Sequence, residues 1–289
     1  MQAKRFPNWL KKDIPRGNAL FNVRKILSSL ELNTVCENAK CPNKGECFSK
    51  GTATFMIMGN ICTRNCRFCA VKNRIPEHLD LDEPDRVAKA AKLMGLTYVV
   101  ITSVTRDDLP DGGSRHFSNT LRAIRATLPE AMIEILAPDF KGNYDAIYKV
   151  VKSQPTVFNH NLETVPRLYP LIRPDADYYR SLKILQYAKG IKNGIFTKSG
   201  LMLGFGEKKE EVIDCMKDLK YIGCDILTIG QYISPSDQHF PVHRFLHPDE
   251  FKEFESIGKD IGFTGIASGP FIRSSYHAGT LFKRLFGPP

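Results

Sequence analysis

From residue 52 onward, short runs of β-branched and apolar residues alternate with longer stretches in which apolar residues recur at three- and four-residue steps. The runs are "TATFMIM" (52–58), "TYVVITS" (97–103), "AMIEILA" (131–137), "PTVFNHN" (155–161), "FTKSGLMLGF" (196–205) and "DILTIGQY" (225–232). The stretches between and after them are "EPDRVAKAAKLMG", "SRHFSNTLRAIRAT", "NYDAIYKVVK", "DYYRSLKILQYAKG", "EKKEEVIDCMKDLKYIG" and "HPDEFKEFESIGKDIG", several closed by glycine. The runs predict six strands and the stretches six amphipathic helices.

Strand and helix alternating in this way predict parallel strands joined by right-handed crossovers. A doubly wound sheet and a barrel both satisfy that. A dinucleotide-binding sheet needs a three-glycine turn after an early strand, and the nearest match, "GFGEKK" at 204–209, has Lys209 where the third glycine belongs and lies late in the chain. No phosphate loop of the GxxxxGK[ST] type is present either. The expected class is therefore α/β, a partial (β/α)6 TIM-like barrel over residues 51–262, with an N-terminal extension (1–50) and a C-terminal one (263–289). Chemistry in such a fold sits at the C-terminal ends of the strands.

The length of 289 residues suits one large domain with extensions. No apolar run approaches the roughly 20 residues of a membrane span, and "MQAKRFPNWLKK" has no secretory apolar core, so a cytoplasmic protein is expected. Of the net charge of +10, nine units lie in residues 1–50 and 270–289. Basic ends suit an acidic partner or offset an anionic cofactor. With no helix-turn-helix, zinc-finger or RNA-binding signature, nucleic acid is not the expected partner.

Six of the eight cysteines fall between Cys36 and Cys69. In a reducing compartment such clustering points to metal rather than disulfides. Cys215 and Cys224 stand apart and read as buried thiols. "NICTRNCRFCA" supplies Cys62, Cys66 and Cys69 in the loop after the first strand. A structural zinc wants four ligands, and a redox CxxC leaves Cys62 unexplained. An iron–sulfur cubane on three thiolates leaves one iron open to a small molecule. Cys36, Cys41 and Cys47 read as a second cluster site that needs a fourth ligand. His239, His243 and His247 recur every four residues, but Pro241 and Pro248 break any helix there, so a loop near the substrate entrance is expected. Trp9 is expected to pack the leader onto the barrel.

C-x3-C-x2-C after the first barrel strand resembles the radical S-adenosylmethionine enzymes, and Phe68 before the third cysteine fits them. Adding C-x4-C-x5-C upstream, with "PNWL", "NVRKIL", "ITSVTRDDLPDGG", "NHNLETV", "KSGLMLGFGE" and "SGPFIRSSY", the chain resembles the lipoyl synthase family over nearly its whole length. That resemblance implies an enzyme that inserts two sulfur atoms at carbons 6 and 8 of a protein-bound octanoyl-lysine. It implies two 4Fe-4S clusters, one on Cys62, Cys66 and Cys69 that engages S-adenosylmethionine, and an auxiliary one on Cys36, Cys41, Cys47 and Ser275 that donates sulfur. An alkoxide is a harder, weaker match to such iron than a thiolate, which suits a cluster meant to be dismantled. By position, Thr102, Ser103, Arg106, Asn159, Asn161, Glu163, Arg180 and Lys198 are candidates to contact S-adenosylmethionine.

The resemblance also implies octanoylated lipoyl carrier domains as partners, namely 2-oxoacid dehydrogenase E2 subunits and the glycine cleavage H protein. A flavodoxin or ferredoxin would be the reductant, an iron–sulfur carrier protein would restore the cluster, and the enzyme would act as a monomer. Lys4, Arg5, Lys11, Lys12, Lys283 and Arg284 would steer acidic carrier domains. The alternatives are a methylthiotransferase-like enzyme, whose usual extra domains have no room here, and a ferredoxin-type electron carrier, which would close both clusters with four thiolates.

Overall fold

The computed structural model describes residues 6–12, 18–191 and 194–287, so Lys4 and Arg5 lie outside the described residues. The N-terminal segment supplies α1 (Asn18–Ser29), α2 (Val35–Asn38) and α3 (Lys44–Ser49). The barrel follows as β1 (Thr54–Ile57), a short parallel pair β2 (Ile61–Cys62) and β3 (Lys72–Asn73), α4 (Glu83–Leu93), β4 (Tyr98–Ser103), α5 (Ser114–Thr127), β5 (Met132–Leu136), α6 (Tyr144–Lys152), β6 (Val157–Asn159), α7 (Tyr169–Ile172), α8 (Tyr178–Ile191), β7 (Phe196–Leu203), α9 (Lys209–Tyr221), β8 (Ile226–Gln231), α10 (Pro248–Ile261), β9 (Gly265–Gly269) and α11 (Ala278–Phe286).

The sheet runs β1-β4-β5-β6-β7-β8-β9 with every neighbouring pair parallel, and β9 does not pair with β1, so the barrel is partial. All six expected strands are present. The seventh, "GIASG", belongs to the sheet although the sequence reading placed it in the C-terminal extension. Its small residues carry too little apolar signal to read as a strand. They are small because α11 lies against them: a Cβ on Gly265 would sit 2.2 Å from Leu285 Cδ1.

The six expected helices also form, with their ends set by local chemistry. α10 begins at His247, whose N–H donates to Glu250 in a capping box, continues with Pro248 at its first position, and ends at Gly262 with φ +94°. His239 and His243 lie in the irregular chain before it. Trp9 donates its indole N–H to Leu246 O at 3.1 Å and meets the His247 ring edge-on, which fixes the leader to this same corner.

Both ends of the chain close the open barrel. The N-terminal segment covers the free edge of β1, where Met56 N donates to Asn33 O at 2.9 Å and Thr34 bridges Phe55. Leu281 and Phe282 of α11 pack on Val157 and Ile226 with Tyr98 and Phe196 alongside, the first residues of four strands. α11 therefore plugs the N-terminal end of the barrel and leaves the C-terminal end open.

Just inside that plug, one residue from each of four adjacent strands forms a polar layer. Lys198 donates to both Glu134 oxygens at 2.8 and 3.1 Å, Tyr98 donates to Glu134 at 2.6 Å, and Asn159 donates to it at 3.2 Å. Glu134 and Lys198 are fully buried. Burial, then the adjacent Glu134 charge, holds the Tyr98 phenol well above its ordinary pKa. Removing one partner strands the other charge, so Lys198→Met is expected to lower the unfolding free energy by about 3–5 kcal/mol, with a large part recovered in Lys198→Met/Glu134→Leu. Chemical denaturation of the three proteins checks this, and an unchanged midpoint for the single variant would refute it.

Candidate active site

Strand pleating sends every second residue into the barrel. At the C-terminal end those residues include Met56, Thr102, Leu136, Asn161, Gly200 and Thr228, and they line a cavity of about 450 Å³. Cys62, Cys66 and Cys69 line it from the loop after β1, and Cys36, Cys41 and Cys47 line it from α2, α3 and the chain between them. Ser275 lines the same cavity from the C-terminal segment. Room for a ligand depends on a glycine floor: a Cβ on Gly200 would lie 2.9 Å from both Asn161 Oδ1 and Thr228 Oγ1.

The loop carrying the first triplet is anchored along its length. Thr63 N donates to Thr105 O at 3.0 Å and Arg67 N to Ile172 O at 2.9 Å, while His239 Nε2 lies 3.1 Å from Cys69 O. Arg64, buried between Cys62 and Cys66, donates to Asp107 at 2.6 and 3.0 Å and to Asp139 at 2.6 Å. Cys62 Sγ accepts from the backbone N–H of Arg64 at 3.4 Å and of Thr105 at 3.3 Å.

The second triplet is organised by helix ends and by the C-terminal segment. Thr34 caps α2 by accepting from Glu37 N, which sets Cys36 in the first turn. Asn43 donates to Phe271 O at 2.7 Å, and Tyr276 donates to Glu46 at 2.7 Å, one residue before Cys47. The backbone of Ile272 crosses β8 so closely that a Cβ on Gly230 would lie 2.0 Å from Ile272 O. Ser274 accepts from Asn161 at 3.1 Å, tying the segment to the barrel wall.

These residues fit iron–sulfur clusters and a polar organic cofactor. Burial pushes the Cys36 and Cys69 thiols up to about 12 and Cys47 to about 11, and burial also raises Cys66. Thiolates here need the positive charge of bound metal. Among the described residues no three or more His, Cys, Asp or Glu side chains converge as a single-ion site. Ligands of a cubane bind separate irons at its corners, so they do not converge on one point as the ligands of a single ion do. Ser103 Oγ and Asn161 Oδ1 are buried at this cavity without a hydrogen-bond partner among the described residues. Beside them stand Glu163, whose carboxyl burial raises, and Arg273.

Of the eight residues expected to contact the organic cofactor, Thr102, Ser103, Asn161 and Glu163 line the cavity. The other four do not, because carboxylates claim them, Glu134 and Asp139 buried and Asp108 exposed. Arg106 donates to Asp108 at 2.8 to 3.1 Å, and Arg180 donates to Asp139 at 2.7 Å. Asn159 and Lys198 are held by Glu134 in the layer below. Lys12, expected as a docking charge, is paired with Glu46 at 2.8 Å. Cys215 and Cys224 are buried away from the cavity.

Comparison with known proteins agrees with this geometry. The radical SAM superfamily model matches residues 56–219, and the model for the N-terminal domain of lipoyl synthase matches residues 1–41. Lipoyl synthase of Caldanaerobacter subterraneus is 56% identical over 274 residues, covering 95% of this chain and 96% of its own. That of Rubrobacter xylanophilus is 53% identical over 272 residues, covering 94% and 85%. The chain belongs to the lipoyl synthase family. It is a radical S-adenosylmethionine sulfurtransferase that uses 4Fe-4S clusters and S-adenosylmethionine to insert sulfur into a protein-bound octanoyl chain. Among solved structures, SuiB of Streptococcus suis bound to S-adenosylmethionine shares the fold with a TM-score of 0.58 at 15% identity, covering 78% of this chain and 54% of its own. The hydrogenase maturase HydG shares it with a TM-score of 0.55 at 14% identity, covering 90% and 74%.

For a lipoyl synthase, the supports that sequence reasoning missed are Arg64, Asp107, Asp139 and Arg173. Arg173 is buried, and its guanidinium donates to Asn161 O, Leu162 O and Tyr169 OH, with its positive charge facing Cys66. No motif marks these positions, because each acts through a partner remote in sequence. His160 lies among them, its Nδ1 2.8 Å from Ala137 O, and burial followed by Arg173 lowers its pKa to about 4. An imidazole kept neutral in the fold but free to take a proton in the unfolded chain costs stability as pH falls from about 6.5 toward 4. Unfolding free energy is expected to drop by about 2 kcal/mol between pH 7 and 5, less in His160→Gln. Urea titrations at the two pH values measure it, and equal pH slopes for both proteins would contradict it.

Proposed function

We propose that Cys62, Cys66 and Cys69 hold the cluster that engages S-adenosylmethionine, and that Cys36, Cys41, Cys47 and Ser275 hold the sulfur-donating one. The observation that carries this is the single cavity onto which both triplets and Ser275 open. When bound, the clusters and S-adenosylmethionine supply reducing electrons, hydrogen-atom abstraction and sulfide, none of which protein side chains provide.

The chain's own residues position and enclose. Ser103 and Asn161 offer unpartnered polar atoms to the methionyl or ribose groups, Thr102 and Glu163 flank them, and Arg273 offers a cation to a carboxylate. Phe68, Leu136 and Met202 give the octanoyl chain an apolar wall between the two triplets. The barrel wall and the C-terminal segment exclude water from carbons that no acid or base can deprotonate. The segment from α2 through α3 and residues 270–277, joined through Asn43, Glu46, Phe271 and Tyr276, act as one unit that holds the second cluster against the barrel.

The carriers on this reading are lipoyl domains of 2-oxoacid dehydrogenase E2 subunits and the glycine cleavage H protein, met by a single enzyme chain. A flavodoxin or ferredoxin supplies electrons and an iron–sulfur carrier restores the consumed cluster. Lys11 and Arg284 are exposed and suit an acidic carrier surface. No helix among the described residues is long and apolar enough to cross a membrane.

Replacing Cys36, Cys41 and Cys47 by Ala is expected to remove roughly half of the iron, abolish sulfur insertion into an octanoyl-lysine peptide, and leave reductive cleavage of S-adenosylmethionine intact. Replacing Cys62, Cys66 and Cys69 should instead abolish that cleavage. Anaerobic iron analysis and mass spectrometry read both, and sulfur insertion surviving the first change would end the proposal. Lys11→Glu/Arg284→Glu should weaken carrier binding and flatten its salt dependence; titrations identical to the parent's would end the docking role.

A further inference from the structure

A second cavity, of about 390 Å³, lies behind the second triplet. Cys36, Cys47, Thr54 and Ser275 line it as well as the main cavity, so these side chains are a shared wall between two chambers. The rest of its lining comes from the turn after α3, the turn between α4 and β4, the start of β4, and the first turns of α11 with the residue before it. Cys62, Cys66, Cys69, Ser103, Asn161 and Glu163 are not part of it. It therefore approaches the second triplet from the strand-start side, whereas the site for S-adenosylmethionine is reached from the strand ends.

Among the described residues its lining carries two lysines, Lys50 and Lys283, and no Asp or Glu. Lys50 and His277 share Glu46, at 2.8 and 3.1 Å, while Lys283 is exposed and forms no ion pair among the described residues. A concave lining of cations concentrates small anions. The volume admits ions and small molecules but no folded partner. The wall is held in place: a Cβ on Gly279 would lie 2.9 Å from Tyr98 Cβ, and Ala278 N donates to Ser275 O at 3.4 Å.

We infer that this cavity is a second entrance, through which small anions, anionic sulfur species among them, reach the Cys36–Cys47–Ser275 corner without crossing the S-adenosylmethionine chamber. The inference rests on the assignment of those residues to the sulfur-donating cluster. Sulfur insertion draws sulfide from that corner on the side facing the substrate. A back entrance lets small anions reach that corner while the main chamber is occupied, whereas rebuilding the whole cluster, iron included, stays with the iron–sulfur carrier.

The test uses the anaerobic holoenzyme, without reductant, with S-adenosylmethionine and an octanoyl-lysine peptide bound, and ethylenediaminetetraacetate as the anionic probe. Iron release and bleaching of cluster absorbance are followed. The second cluster should be stripped while the first is retained. Thr280→Trp, at an exposed position of the lining, should slow stripping several-fold. Lys283→Glu should slow it and remove its dependence on ionic strength. Thr52→Trp, exposed on the opposite rim, serves as a second plug, and melting temperatures verify the folds. Stripping at the parent's rate in both Trp variants, or stripping that stops once S-adenosylmethionine fills the main chamber, would overturn the second entrance. A parent enzyme with only one cluster would overturn the ligand assignment itself.

Discussion

Glu46 joins the two ends of the chain. Its carboxylate accepts from Lys12 at 2.8 Å and Tyr276 at 2.7 Å, and meets Lys50 at 2.8 Å and His277 at 3.1 Å. The hydrogen bond from Lys12, then that from Lys50, holds the carboxyl far below the usual carboxylate range. Glu46 is adjacent to Cys47, and Tyr276 is adjacent to Ser275, so this one contact sets a thiol of the N-terminal segment against a hydroxyl from the other terminus. About a quarter of its side chain is exposed, so each pair is worth less than a buried one. Its importance lies in where it places Cys47 and Ser275, two residues of the cavity wall that are more than two hundred positions apart.

The barrel supplies what the terminal segments lack, a rigid chamber at the right depth. Polar and small residues alternate with outward apolar ones such as Val99, Ile101, Ile133, Ile135, Leu227 and Ile229, all buried. The Glu134–Lys198 layer closes the floor, Gly200 keeps it low, and Gly230 lets the C-terminal segment lie against the wall. Arg64 then fastens the first cysteine loop to the loops after β4 and β5 through two carboxylates. Each of these fixes position rather than chemistry, as expected where cofactors carry the reaction.

Much of this was legible in the sequence. Strands such as "TYVVITS" and helices such as "HPDEFKEFESIGKDIG" announced themselves because their periodicity is the imprint of burial on one face. Cys36 through Cys69 announced cluster chemistry because thiolates gathered in a polar segment have few other uses. What failed did so for a common reason. "GIASG" pairs with β8 through a backbone whose side chains are small to admit α11, and that helix is recognised only by what it plugs. By position in the sequence, Arg106, Arg180 and Lys198 read as cations near the barrel mouth. Whether a cation there meets a cofactor or a neighbour is decided by Asp108, Asp139 and Glu134, which lie elsewhere along the chain.

On the proposed assignment two sets of cluster ligands face one chamber, with Ser275 brought to the second set by the C-terminal segment. The most direct measurement is an anaerobic crystal structure of the holoenzyme with anomalous scattering recorded at the iron edge. The expected result is two iron clusters in the same cavity, one on Cys62, Cys66 and Cys69 and one on Cys36, Cys41 and Cys47, with Ser275 Oγ on an iron of the latter. Iron confined to the first triplet, or a second cluster walled off from it with Ser275 turned away, would contradict the account.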